Sequence, residues 1–163
     1  MSVAINRMQF LRGDYSGKSS PIRPPWAGDE IQFTQTCDGC GECIEQCPTK
    51  IIRKGRGNYP VINFNVGECL FCGKCVDACE PKALIINESQ PPWSVEASIN
   101  TVTCIAFNGV ECRSCYDPCE ANSITMTPRL GGVSIPVINT DLCTGCGACF
   151  AICPTKAITM FTN

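Results

Sequence analysis

An α+β fold divided into two tandem modules is predicted by three features of this 163-residue sequence. Sixteen cysteines fall into four groups of four with near-regular spacing. A longer repeat encloses those groups in pairs. Short apolar runs bounded by turn residues alternate with stretches just long enough for single helical turns, which is a mixed small-domain pattern.

The groups are Cys37, Cys40, Cys43 and Cys47; Cys69, Cys72, Cys75 and Cys79; Cys104, Cys112, Cys115 and Cys119; and Cys143, Cys146, Cys149 and Cys153. Pro24-Pro25-Trp26 leads into the first and Pro91-Pro92-Trp93 into the third, each tryptophan eleven residues before the cysteine. Pro60-Val61-Ile62-Asn63 separates the first two groups, and Pro136-Val137-Ile138-Asn139 the last two. The recurring order divides the chain into an N-terminal extension (1–23), a first module (24–90) and a second module (91–163).

The elements come in the same order in each half. In the first module Ile51-Ile52, a turn over 55–57 and Val61-Ile62 read as a β-hairpin, and Ala83 to Ile86 as a run that closes the small sheet. In the second, Ile124 to Thr127, Gly131-Gly132 and Val133 to Ile138 form the matching hairpin, and Ala157 to Phe161 is the closing run. The residues between each third and fourth cysteine, such as Ile44-Glu45-Gln46, fit one helical turn. Residues 13–30, rich in Gly, Ser and Pro, are expected to be loop or extended chain.

Composition narrows the function. Thirteen basic residues nearly balance fifteen acidic ones, so neither a nucleic-acid footprint nor an acidic tail is present. The 44% apolar content includes the cysteines; without them roughly a third of the chain is apolar, below the usual globular share. Modules this small need staples. Met1 to Asp14 carries Arg7 and Arg12 but no apolar run that would make a signal-peptide core. No segment approaches the ~18 apolar residues of a membrane span. A cytoplasmic location without membrane insertion is therefore expected, and in a reducing compartment so many cysteines point to metal rather than disulfides. With no histidine, no phosphate-binding glycine loop and every cysteine taken as a ligand, no enzymatic activity is expected.

The spacing specifies the metal. The first and fourth groups read C-x2-C-x2-C-x3-C-P, with Pro48 and Pro154 last, the run found in two-cluster bacterial ferredoxins. Three thiolates at three-residue intervals curl round one face of a cubane, and Gly39, Gly41, Gly73, Gly145 and Gly147 suit so tight a loop. The fourth cysteine of each run serves the partner cluster. Sequential pairing gives two ferredoxin-like modules with four [4Fe–4S] clusters. Their ligands are Cys37, Cys40, Cys43 and Cys79; Cys69, Cys72, Cys75 and Cys47; Cys104, Cys112, Cys115 and Cys153; and Cys143, Cys146, Cys149 and Cys119. Nested pairing, first group with fourth and second with third, is the alternative, and the hairpins joining neighbouring groups favour the sequential one. Zinc, which prefers two separated C-x2-C pairs, is the rival metal. The second group departs slightly from the signature, ending Cys79-Glu80-Pro81. The third has seven residues between Cys104 and Cys112 and Glu120 in place of proline, so its cluster is expected to be the least protected, with a three-iron form as the alternative to full ligation.

Other residues invite paired readings. Lys50, Lys82 and Lys156 each stand three residues after a fourth cysteine, either offsetting cluster charge or simply solvated. Trp26 and Trp93 are either partner-recognition elements or apolar lids on each sheet. Phe71, Tyr116 and Phe150 lie inside cluster loops and read as shields against water. Val3, Ile5, Met8, Phe10 and Leu11, with Arg7 and Arg12, form either an amphipathic docking element or a frayed terminus.

The Arg23-Pro24-Pro25-Trp26-Ala27-Gly28-Asp29-Glu30 stretch, the four cysteine groups and the long Cys104-to-Cys112 loop together resemble the NapF-type ferredoxins over nearly the whole chain. Members of that family can carry paired arginines near the N-terminus, where this chain has isolated Arg7 and Arg12. The resemblance implies a cytoplasmic accessory protein of the periplasmic nitrate reductase system. Its implied partner is the unexported precursor of the molybdenum-containing catalytic subunit. Its implied task is to assist that subunit's maturation, through the subunit's own [4Fe–4S] cluster. A soluble electron-transfer polyferredoxin, or an electron-transfer subunit of a redox enzyme, is the alternative. A redox-sensing regulator is disfavoured, since no helix-turn-helix pattern or basic stretch is present.

Overall fold

The computed structural model describes residues 21–162. The apolar and arginine positions from Val3 to Arg12, like most of the expected extension, lie outside them.

Helix α1 (Glu30–Thr36) opens the first module. Asp29 caps it, its carboxylate accepting from the N–H groups of Ile31 and Gln32 at 3.1 and 2.9 Å, so the expected loop over 13–30 gives way to helix at its last residue. Arg23 fastens the helix to the backbone at Pro60. Its guanidinium donates to both carboxylate oxygens of Glu30 at 2.8 and 2.6 Å and to the Pro60 carbonyl at 3.0 Å. It also lies over the rings of Phe33 and Tyr59. Next come α2 (Glu42–Gln46), the hairpin strands β1 (Ile52–Lys54) and β2 (Pro60–Ile62), and α3 (Lys74–Asp77). The second module comprises β3 (Val95–Ile99), the hairpin strands β4 (Ile124–Thr127) and β5 (Ile135–Ile138), α4 (Ala148–Ile152) and β6 (Ile158–Thr162).

The hairpins pair antiparallel, Ile52 opposite Ile62 and Ile124 opposite Ile138. The two PVIN segments match in their hydrogen bonds. Asn63 N–H donates to the Ile51 carbonyl at 2.8 Å, and Asn139 N–H to that of Ser123 at 2.7 Å. Each asparagine side chain then caps a short 3₁₀ turn, Phe64–Val66 and Thr140–Leu142.

The closing runs behave differently from expectation. Strand β6 does not extend the hairpin; it pairs antiparallel with β3 in a separate two-stranded sheet, Ile99 opposite Ile158 and Val95 opposite Thr162. Ala83 to Ile86 form no strand at all. Counted from the two tryptophans, Val95–Ile99 correspond to Gly28–Gln32, where Asp29 starts a helix and so removes the partner strand. One backbone bond remains, from Ile85 N–H to the Trp26 carbonyl at 3.1 Å.

Helical turns precede the fourth cysteine in three groups but not in the third. Helices α2, α3 and α4 start at Gly41, Gly73 and Gly147 in left-handed backbone. Arg113 stands at that place in the third group, and Pro118 offers no N–H, so residues 114–118 form turns instead.

The interior is thin. Among the described residues, seven of the twenty-one buried apolar ones are cysteines; Phe33, Ile51 and Leu84 are the largest fully buried apolar side chains of the first module. The modules bond directly to each other, Trp26 N–H to the Pro92 carbonyl at 2.6 Å and Cys69 N–H to the Cys146 carbonyl at 2.8 Å. No helix among the described residues is long and apolar enough to cross a membrane.

Candidate metal centre

Four hollows, two per module, are each ringed by four cysteines. Site 1 is lined by Cys37, Cys40, Cys43 and Cys79, and site 2 by Cys47, Cys69, Cys72 and Cys75. Site 3 is lined by Cys104, Cys112, Cys115 and Cys153, and site 4 by Cys119, Cys143, Cys146 and Cys149. The four are similar in size, about 340, 350, 350 and 300 Å³ with the adjoining open space included. Each ring takes three cysteines from one run and the fourth from the other run of the same module.

The short helices make this exchange. Helix α2 turns Cys43 toward site 1, and the extended residue that ends it delivers Cys47 to site 2. Helix α3 does the reverse with Cys75 and Cys79. Helix α4 points Cys149 into site 4, and Cys153 beyond it reaches site 3. One turn of helix thus reverses the aim of two cysteines four residues apart.

Burial dominates the electrostatics. It pushes the thiols of Cys43, Cys75 and Cys149 up to about 12, neighbouring thiols adding to the effect. Burial likewise brings Cys69 and Cys115 to about 11. It also raises Cys37 and Cys146, against the N–H groups of Gly39 and Ala148. Cys47 goes the other way: burial raises it, but Thr49, Ile52 and Ile51 donate hydrogen bonds that together outweigh burial and leave it below its ordinary value. Clustered thiols this reluctant to ionise become thiolates only when metal charge compensates them.

The donor chemistry fits an iron–sulfur cubane. Every ring is all-sulfur, and among the described residues no three cysteine or acidic groups converge on a point that would hold one metal ion. A tetrahedral zinc needs such a point; a cubane needs four sulfurs round a space. Hydrogen bonds to sulfur, which tune such clusters, are present. Phe71 N–H donates to Cys69 Sγ at 3.5 Å, Ala157 N–H donates to Cys153 Sγ at 3.2 Å, and Ser123 Oγ lies 3.2 Å from Cys119 Sγ.

Site 3 is not the least protected, contrary to expectation. Cys40 of site 1 and Cys72 of site 2 are exposed, whereas Cys104 and Cys115 are buried and Cys112 and Cys153 half-buried. The extra residues fold back on themselves. Asn108 Nδ2 donates to the carbonyls of Val102 and Cys104 at 3.0 and 2.9 Å, Val110 N–H bonds the Ile105 carbonyl at 3.0 Å, and Ala106 is 1% exposed. Replacing Asn108 with alanine is expected to cost about 1–2 kcal/mol from the lost bonds. Selective loss of one site's iron in air, faster than in the unaltered protein, is the measurement that checks it.

The recurring lysines have a backbone explanation. Lys50, Lys82, Asn122 and Lys156 occupy the same place after the fourth cysteine, and all four have positive φ, between 51° and 60°. Each N–H closes a turn onto that cysteine's carbonyl at 3.0 to 3.2 Å. Asn122 keeps the turn without a charge, so the shared requirement is left-handed backbone. Lys156→Gln is expected to be neutral, and Lys156→Val to destabilise by about 1–2 kcal/mol, read as a shift in the denaturation midpoint.

Sequence reasoning missed Phe64 here and read Phe71 only as a shield against water. Phe71 stands where Gly39 and Gly145 stand in the other loops, yet has φ 49°. Phe64 is 4% exposed and packs against the second module rather than its own, between Trp93 and Phe150. The available signal was asymmetry: PVIN is followed by Phe64 in one half and Thr140 in the other. Both tryptophans lie at this contact between modules, and Trp26 also packs over the first module's apolar cluster with Ile51, Ile52 and Ile62, as a lid would.

The 4Fe-4S dicluster domain model matches residues 36–84, which hold the first two cysteine groups, and the 4Fe-4S binding domain model matches residues 136–159, which hold the fourth. The chain is 42% identical over 159 residues to Ferredoxin-type protein NapF of Escherichia coli (strain K12), covering 98% of this chain and 96% of that protein. It is 43% identical to Ferredoxin-type protein NapF of Haemophilus influenzae, covering 96% and 93%. Ferredoxin-type protein NapG of Haemophilus influenzae is more distant, 31% identical over 82% of this chain and 55% of that protein. Identity at this level along the full length, with the cysteine pattern and the all-sulfur rings, leaves one conclusion: the chain belongs to the NapF family of ferredoxin-type proteins.

Proposed function

We propose that the chain holds four [4Fe–4S] clusters, one in each ring, in two modules spanning 24–90 and 91–163, with 1–23 as an extension. In this reading it is a cytoplasmic accessory protein and not an enzyme. Its partner is the precursor of the periplasmic nitrate reductase catalytic subunit, and it assists that subunit's maturation before export, through the subunit's [4Fe–4S] cluster. The observation that supports the reading most is the set of four similar hollows, each ringed by four cysteines, in a chain of the NapF family. When bound, each cubane supplies a site for one electron. The protein's own residues anchor it, donate N–H groups to its sulfur ligands and keep water away on the buried sides.

Affinity capture from anaerobic cytoplasm tests the partner. Recovery of the unexported molybdenum subunit is the expected result. Recovery instead of a dehydrogenase or a quinol-oxidising enzyme favours the second reading, a soluble electron-transfer protein. That reading draws support from the direct contact between the modules at two cysteine loops.

A further inference from the structure

The modules meet at sites 2 and 4. The N–H of Cys69, a site 2 cysteine, donates to the carbonyl of Cys146, a site 4 cysteine, at 2.8 Å. Beside that bond a run of aromatic rings passes from one site to the other. Trp26, which lines site 2, stands edge-on to Phe71 at 6.5 Å between centroids, and Phe71 to Trp93 at 5.6 Å. Trp93 packs on Phe64 at 6.0 Å, and Phe64 on Phe150 of α4 at 6.2 Å. The Trp93 indole N–H donates to the Thr144 carbonyl, in the loop of site 4, at 2.8 Å.

This contact is built rather than incidental. The second module leaves a gap for a ring of the first at Gly147, where a Cβ would collide with Phe64; Gly145 makes room within the second module, where a Cβ would strike the Val95 carbonyl and the Trp93 indole. Trp26 and Phe71 hold φ values of 65° and 49°, backbone that bulky residues rarely adopt and that persists where surroundings over-determine it. Within the modules, α2 and α3 join sites 1 and 2, and α4 joins sites 4 and 3. The sites therefore run in the spatial order 1–2–4–3.

We propose that this seam is an electronic junction that makes the two modules one four-site line, with sites 1 and 3 as its ends. An electron passing between modules leaves site 2 or site 4 oxidised by one and the other reduced by one, with no bond changed and no proton moved. Phe64, Phe71 and the tryptophans are positioning residues that fix the two loops against each other and exclude water between them. The inference rests on all four rings holding clusters.

Electron paramagnetic resonance of protein reduced with dithionite tests it. In Cys37→Ala/Cys104→Ala only sites 2 and 4 remain; in Cys69→Ala/Cys143→Ala only sites 1 and 3 remain. Half the iron and acid-labile sulfide of the unaltered protein is expected in both, and any other content overturns the four-cluster reading itself. With iron at half, the first variant is expected to show spin–spin broadening and fast relaxation, and the second a simple sum of two isolated signals. Isolated signals in the first, or coupling in the second, overturn the junction alone. Should either variant fail to fold, Phe64→Leu with all cysteines intact gives the same answer. Full iron with weakened inter-module coupling is expected, and an unchanged spectrum overturns the proposal.

Discussion

Replacing Cys79 with alanine is expected to abolish the cluster at site 1 and spare the one at site 2, although Cys79 belongs to the second run. The local geometry dictates this. Helix α3 aims Cys75 at site 2, and Cys79 N–H, bonded to the Val76 carbonyl at 2.9 Å, turns the chain so that its sulfur lines site 1 with Cys37, Cys40 and Cys43. Iron and acid-labile sulfide are expected to fall by about a quarter, since one cubane of four is lost. Combining the change with Cys37→Ala provides the decisive comparison. Two ligands of one site form a unit whose losses do not add, so the double variant is expected to lose no more iron than either single one. Nested pairing places the two cysteines on different clusters and requires the losses to sum to about half. Cys47→Ala with Cys69→Ala repeats the experiment on site 2. Anaerobic metal and sulfide analysis, with folding checked by far-UV circular dichroism, separates the outcomes.

Much of the site was readable because it is local. Three-residue cysteine intervals force three sulfurs onto one small ring whatever surrounds them, and a hairpin between two runs brings the fourth sulfur across. The hairpins were equally readable, since Ile51 to Ile62 and Ile124 to Ile138 carry their own turns. What escaped depends on residues distant in sequence or on one deciding side chain. Strand β3 and helix α1 occupy matching places in the repeat; the Asp29 cap decides between them, and that cap signal was present in the sequence. The pairing of β3 with β6 spans most of a module and has no sequence marker. The loop from Cys104 to Cys112 looked like an opening because length alone was visible, while its closure rests on Asn108 and on burying Ala106. The lysines after three of the four fourth cysteines suggested charge, and only the backbone angle, shared by Asn122, revealed the common cause. Symmetry drew attention to what the halves share. The junction lies where they differ, at Phe64 against Thr140 and Phe71 against Gly145.

Phe64→Ala is expected to uncouple the modules as well as destabilise them. Phe64 is 4% exposed, belongs to the first module by sequence, and buries its ring against Trp93, Phe150 and the bare backbone of Gly147. Truncating a buried phenylalanine costs about 3–5 kcal/mol, the upper part applying where the gap cannot collapse. Here Gly147 starts α4 beside two site 4 cysteines, and rigid ligand loops on both sides limit collapse. Phe33→Ala serves as the control. Phe33 is 1% exposed and packs α1 onto the hairpin of its own module, so a comparable cost is expected there without uncoupling. Anaerobic guanidinium unfolding of the cluster-loaded protein distinguishes the two, because both tryptophans sit at the seam while cluster absorbance reports all four sites. The two probes are expected to change together in the unaltered protein and in Phe33→Ala. In Phe64→Ala the tryptophan signal is expected to move to lower denaturant while the absorbance lags behind. Coincident transitions in Phe64→Ala would mean that the modules hold together without this ring, through the Phe71–Trp93 contact and the Cys69–Cys146 and Trp26–Pro92 backbone bonds.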